Sequence, residues 1–192
     1  MRHDATAGFP DGERANRGFD DCLPLLADAC LQVTRFAKDL GVRTMVENHG
    51  WFCQDSARLE KLANAVRDEN FGLLCDMGNF MDADEDPIEA CSRVAPYTIH
   101  AHAKDFHWKS GEATDPGWGY WPTRGGNFLR GAIVGHGDVP VKQCLSILKG
   151  AGFDGDISIE FEGLEEPELA LTVGLQNLKR YLEELDRPRC CE

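Results

Sequence analysis

The sequence predicts an α/β fold in which helices cover a parallel sheet, organised as a partial (β/α) TIM-type barrel of about four βα units. Three observations predict it. Strand-like and helix-like segments alternate along nearly the whole chain. The strand-like segments are short and apolar, as strands buried on both faces are. Each also closes on a polar, metal-capable side chain, and in a (β/α) barrel such groups converge on one mouth.

Taken in order, residues 1–20 are rich in Gly, Asp, Asn and Arg without periodicity and read as a loop. CLPLLADACLQVTRFAKDLG (22–41) is an amphipathic helix. Leu23, Leu26, Cys30, Val33 and Ala37 recur at three- and four-residue steps, and Gly41 supplies the stop. VRTMVENHG (42–50) is the first strand, and SARLEKLANAVRDEN (56–70) is a helix with Asp55 or Ser56 as cap. FGLLCDMGN (71–79) is the second strand, followed by a short helix, PIEACSRVAP (87–96), with Pro87 in its first turn. YTIHAHAKD (97–105) is the third strand. A Gly- and Trp-rich segment from about 106 to 138 reads as a long loop, of the length that usually carries function. VPVKQCLSILKGAG (139–152) is a helix, DISIEFEG (156–163) the fourth strand and ELALTVGLQNLKRYLEEL (168–185) the last helix.

The bulk numbers fit one soluble globular domain: 192 residues, 42% hydrophobic and 28% charged. A formal net charge of −13 opposes binding to a phosphate backbone, so nucleic acid is not the expected partner. No apolar run approaches the ~20 residues of a membrane span, and the polar start lacks a secretory h-region. The eight cysteines include no CxxC pair, and six are scattered singly in apolar or helical contexts. They read as reduced, largely buried thiols of a cytoplasmic protein.

Glu47, Asp76, His102 and Glu160 close the four strands in turn. Three carboxylates and one imidazole make a mixed O/N set that suits one divalent ion, Mn²⁺, Mg²⁺, Co²⁺ or Zn²⁺. The absence of thiolate argues against a structural zinc site. Any one of the four alone reads as a turn or cap residue; four in phase at successive strand ends read as a site. Around them, Asn48, His49, Asn79, Lys104 and Trp108 are the candidate substrate contacts. His100 shares a strand face with His102, and Glu162 shares one with Glu160. Trp118 and Trp121 are candidates for a lid or for stacking on a sugar.

The runs ENHG (47–50), DMGN (76–79), HAHAKD (100–105), GHGDVP (135–140) and DGDISIEFEG (154–163) resemble, in order and spacing, the xylose isomerase-like TIM-barrel superfamily. Within it the chain looks most like the sugar phosphate isomerase/epimerase group, which also resembles tagatose/psicose 3-epimerases. The resemblance implies a single xylose isomerase-like (β/α) domain over residues 1–192, with the N-terminal half of the barrel missing, since a full barrel has eight strands and about 250 residues. It implies metal ligation by Glu47, Asp76, His102 and Glu160, with Glu47 and Glu160 as the catalytic acid/base pair. Asn79 departs from relatives that carry a histidine there, and GHGDVP is expected as a structural turn.

The activity implied is a divalent-metal-dependent isomerase or epimerase of a sugar, sugar phosphate or polyol, working through an enediolate. The alternatives are an inosose-type dehydratase and a catalytically silent partial-barrel module. The expected partners are a small carbohydrate substrate and, for a half-barrel, a homodimer mate or another chain completing it. No membrane partner is expected.

Overall fold

The computed structural model describes residues 18–50 and 52–187. Of the loop expected over residues 1–20, residues 1–17 lie outside them, as do Trp51 and the Cys190–Cys191 pair, while Phe19 and Asp20 open the first helix instead.

Helix α1 (Phe19–Lys38) leads into β1 (Thr44–Glu47), α2 (Ser56–Val66), β2 (Phe71–Asp76), α3 (Pro87–Val94) and β3 (Thr98–Ala103). After an insertion come α4 (Val141–Gly150), β7 (Ile157–Ile159) and α5 (Pro167–Asp186). The four expected strands form one parallel sheet in the order β1-β2-β3-β7. Each strand is followed by a helix, the repeat from which (β/α) barrels are built.

Local chemistry fixes the helix starts. Asp55 caps α2 by accepting the Arg58 N–H at 3.2 Å, so of the two expected caps Asp55 serves and Ser56 is the first helical residue. Asp86 caps α3, and Pro87 stands at its first position, where no N–H is needed. Every residue of β2 is buried, because helices cover one face and the barrel interior the other. Its Leu73 and Cys75 pack in the same core as Leu59 and Leu62 of α2, Val94 of α3 and Leu148 of α4.

The segment expected as a long loop is in part an antiparallel sheet. Strands β4 (Asp105–Lys109), β5 (Trp121–Pro122) and β6 (Phe128–Ala132) pair in the order β4-β6-β5. Their signal is weak because β5 has two residues and β6 carries a glycine, so neither alternation nor propensity identifies them. That glycine, Gly131, is required by close approach. A Cβ there would meet the Glu162 carbonyl carbon at 2.3 Å, and Gly131 bridges Gly163 in parallel. The small sheet is thereby pressed against the segment just beyond β7.

Asp105 anchors the same sheet. Its carboxylate accepts N–H bonds from Phe106, Gly135, Gly137 and Val139 at 2.8–3.0 Å. The GHGDVP turn therefore wraps one buried carboxylate, and at Gly137 a Cβ would lie 2.3 Å from its Oδ1. Burial pushes the Asp105 carboxyl up, and the four N–H donors oppose it.

Candidate metal centre and cleft

Glu47 is the last residue of β1, Asp76 the last of β2, His102 the fifth of β3, and Glu160 follows β7 by one residue. Glu160 stays in register because its N–H donates to the Ala103 carbonyl at 3.1 Å. Asp76 and His102 are partners across β2 and β3. Strand parity then turns all four side chains to the inner side of the sheet. One ligand atom from each lies within 4.8 Å of every other.

His102 Nδ1 is the centre of the group. It stands 2.9 Å from Glu160 Oε2, 3.2 Å from Glu47 Oε1 and 3.5 Å from Asp76 Oδ2. A single ring proton can serve only one good acceptor, and Glu160 takes it. Glu47 Oε1 and Asp76 Oδ2 are left buried without a hydrogen-bond donor. Orphaned carboxylate oxygens at such depth cost several kcal/mol unless a cation meets them, so the donor set fits a divalent ion. The titration pattern has the same cause. Asp76 first, then Glu160 and Glu47, push the His102 imidazolium up to about 11. Burial pushes Asp76 up to about 6, against His102 and Lys104. His102, with help from Lys104, holds Glu160 down to about 2.

Asn48 and Asp76 are tied backbone to side chain. Asn48 Nδ2 donates to the Asp76 carbonyl and Asn48 Oδ1 accepts the Asp76 N–H, both at 2.8 Å. Asp76 Oδ1 accepts the N–H groups of Gly78 and Asn79 at 2.8 Å, leaving Oδ2 turned toward His102. Asn48, expected at the substrate, is thus fully buried, with both ends of its amide committed to the Asp76 backbone.

Beside these four residues lies a cleft of about 570 Å³, lined by His49, Gln54, Asn79, Lys104, Trp121 and Arg124 among others. Of the expected substrate contacts, His49, Asn79 and Lys104 line this cleft. Asn79 Nδ2 is buried and has no hydrogen-bond partner, a donor still to be used. Lys104, only 2% exposed, donates to Glu162 Oε2 at 2.9 Å and stands 3.3 Å from Glu160 Oε1. Burial pulls its ammonium pKa down, but Asp76, Glu162 and Glu160 together outweigh it and raise it. Glu162 therefore reaches the centre through Lys104. His100 hydrogen-bonds Ser158 Oγ at 3.0 Å and meets His102 edge-on, a structural role.

Trp108 is a correction. It lies on β4 beside a different cavity, with Met81, Asp84 and Asp138, and does not line the cleft. Trp121 does, held by its indole N–H on Asp82 Oδ1 at 2.8 Å and by edge contact with Phe106. Gln54, Asp82 and Thr123 also line the cleft and carried no signal in the sequence. They come from the loop before α2, a short 3-10 helix over Asn79–Ala83 and the residue just after β5, which meet only in three dimensions.

Among the described residues no helix is long and apolar enough to cross a membrane. The family model for xylose isomerase-like TIM barrels matches residues 4–181. An inosose dehydratase of Clostridium beijerinckii is 27% identical over 153 residues, which are 76% of this chain and 48% of the relative. A xylose isomerase-like TIM-barrel protein from Mycobacterium smegmatis, solved in complex with magnesium, superposes with a TM-score of 0.66 at 18% identity. The match covers 85% of this chain and 50% of that one. A D-tagatose 3-epimerase-like protein superposes with a TM-score of 0.67 at 20% identity, covering 93% and 60%. The structural likenesses establish the fold. The chain spans about half the length of the curated relatives it matches, 40% and 48%.

Proposed function

We propose, from the fact that the chain belongs to the xylose isomerase-like TIM-barrel family, that it carries the metal-binding half of an isomerase or epimerase acting on a small sugar, sugar phosphate or polyol. The observation that carries this reading is the convergence of Glu47, Asp76, His102 and Glu160, two of whose carboxylate oxygens are buried and unsatisfied.

Bound there, a divalent ion of the Mn²⁺, Mg²⁺, Co²⁺ or Zn²⁺ kind would act as a Lewis acid on a substrate carbonyl and its neighbouring hydroxyl, easing enediolate formation. The chain's own residues supply the rest. Among the described residues the one ion pair of Glu47 is with His102, so its carboxylate is less committed than that of Glu160, which meets both His102 and Lys104, and is the better suited to take a proton from carbon. Glu160, one residue beyond β7 and across β2 and β3 from it, is the counterpart that takes up a proton from solvent and delivers it to carbon, while Glu47 gives its own to solvent. Lys104, 3.3 Å from its Oε1, orients Glu160. Asn79 Nδ2 and His49 offer hydrogen bonds to substrate hydroxyls, and Trp121 gives an apolar wall to the cleft. The other half of the barrel mouth would come from outside the described residues.

The test is incubation of the Mn²⁺-loaded protein with a panel of ketoses, sugar phosphates and inososes in D₂O. Deuterium incorporated at carbon without loss of water supports the isomerase or epimerase. The likeness to an inosose dehydratase favours a second reading, and a product lighter by one water would select it. No exchange with any substrate, in protein that holds its metal, would favour the catalytically silent module.

A further inference from the structure

Asn79 and Asp82 stand three residues apart on the short 3-10 helix Asn79–Ala83. Side chains at that spacing eclipse along one face of such a helix, about 6 Å apart by its rise. Both line the cleft beside the candidate metal group. Asn79 is held at the metal end. Its N–H donates to Asp76 Oδ1 at 2.8 Å, and its carbonyl accepts Gln54 Nε2 at 2.6 Å. The residue is only 2% exposed, yet its amide Nδ2 meets no acceptor among the described residues. A buried donor left unpaired is costly, and an oxygen of a bound molecule would relieve it. Asp82 is pinned as firmly. Its Oδ1 accepts the Trp121 indole N–H at 2.8 Å, and its carbonyl accepts the Arg124 N–H at 2.9 Å. That leaves Oδ2 for a bound molecule. Burial pushes the Asp82 carboxyl up, with the indole N–H and then Lys104 opposing. A carboxylate partly stripped of water gains from each hydroxyl that donates to it.

Lys104 and Arg124, the ammonium and guanidinium on this wall, are already matched. Lys104 Nζ lies 2.9 Å from Glu162 Oε2 and 3.3 Å from Glu160 Oε1, and Arg124 Nη1 lies 3.2 Å from Asp55 Oδ2. What the wall offers a bound molecule is therefore a neutral donor, a carboxylate oxygen and the indole ring of Trp121 between β6 and the cleft. A hydroxyl suits both polar groups, because it can accept from Asn79 Nδ2 or donate to Asp82 Oδ2. A phosphate dianion can accept from Asn79, but it has no proton for Asp82 and is repelled by it. We propose that Asp82 is a specificity-determining residue: with Asn79 it reads two hydroxyls of the substrate and rejects a phosphate in their place. The substrate along this wall is then an unphosphorylated sugar or polyol. This inference rests on the proposed function, because the metal's hold on the carbonyl end is what lays the remaining carbons along the cleft.

The test is binding of D-fructose, D-tagatose and D-psicose, each beside its 6-phosphate, to the Mn²⁺-loaded 192-residue chain. Tryptophan fluorescence reads it, in wild type and in Asp82→Asn. Asparagine keeps an oxygen for the Trp121 indole and loses the charge. The wild type should bind at least one free sugar on the order of tenfold or more tighter than its phosphate, as a difference of affinities. In Asp82→Asn the free sugar should weaken and the phosphate tighten, so that the preference is largely lost. A loosened fold would weaken both, so opposite shifts separate recognition from structure. Circular dichroism and metal content on the same samples show that the variant is folded and loaded. Tighter binding of the phosphates by the wild type, or a preference unmoved by Asp82→Asn, would overturn the inference and leave the proposed function standing. No response to any of the six compounds in folded, metal-loaded wild type would remove both.

Discussion

His102 Nδ1 stands 2.9 Å from Glu160 Oε2 and gives it the only proton it can offer, while two further carboxylate oxygens crowd the same nitrogen without a donor. In the metal-free protein a proton does the work of a cation, and does it for one acceptor out of three.

The proton must leave when a metal enters, because an imidazole binds metal only when neutral. His102, pushed up to about 11, is protonated throughout the neutral range. Mn²⁺ binding at pH 7–8 should therefore release about one proton per metal, and apparent affinity should rise roughly tenfold per pH unit. Below about 6, where Asp76 also holds a proton, the slope should steepen. Calorimetry in two buffers of different ionisation enthalpy measures the release. Binding without proton release would mean that His102 is not a ligand.

Asn48→Ala should weaken Mn²⁺ binding by about 10–100-fold, the usual effect of losing a group that orients a metal ligand. Both hydrogen bonds between Asn48 and the Asp76 backbone vanish in this variant. Titration against the wild type reads the change, and equal affinities would show that the strand ends hold Asp76 without help.

Asp105→Ala leaves four backbone N–H groups of the 106–139 segment without their acceptor. At about 1–3 kcal/mol for each buried donor, less where water can enter, a loss of at least about 3 kcal/mol is expected. Asp105→Asn, which keeps one acceptor oxygen, should lose less. Urea unfolding of the three proteins checks the order.

Trp121→Ala should weaken carbohydrate binding while Trp108→Ala leaves it unchanged, because only Trp121 lines the cleft. Ligand-induced change in tryptophan fluorescence separates them. A response that survives Trp121→Ala and is lost in Trp108→Ala would place the substrate elsewhere.

The parallel sheet and the candidate metal group were legible because each rests on a local pattern, an apolar run closing on one polar group. Parallel strands ending at the same level then carry Glu47, Asp76, His102 and Glu160 to one point. What was not legible depends on contacts far apart in sequence. Asn48 reads as a strand-end polar residue until Asp76, 28 positions away, is seen to use both ends of its amide. Lys104 reads as a candidate substrate contact, and only the fold shows Glu160 and Glu162 closing over it. Trp108 and Trp121 are indistinguishable as loop tryptophans, and only the antiparallel pairing of β4, β5 and β6 shows which reaches the cleft.

The central claim is that Asp76 and its three neighbours hold one divalent metal. The direct measurement is metal content and Mn²⁺ affinity of the purified chain beside Asp76→Asn, which removes a carboxylate charge and keeps an acceptor for the Gly78 and Asn79 N–H groups. About one tightly bound metal per chain, with affinity falling 100-fold or more in the variant on the order expected for a lost ligand, is the predicted result. Folded wild type that binds no metal, or binds it equally well in the variant, would contradict the account.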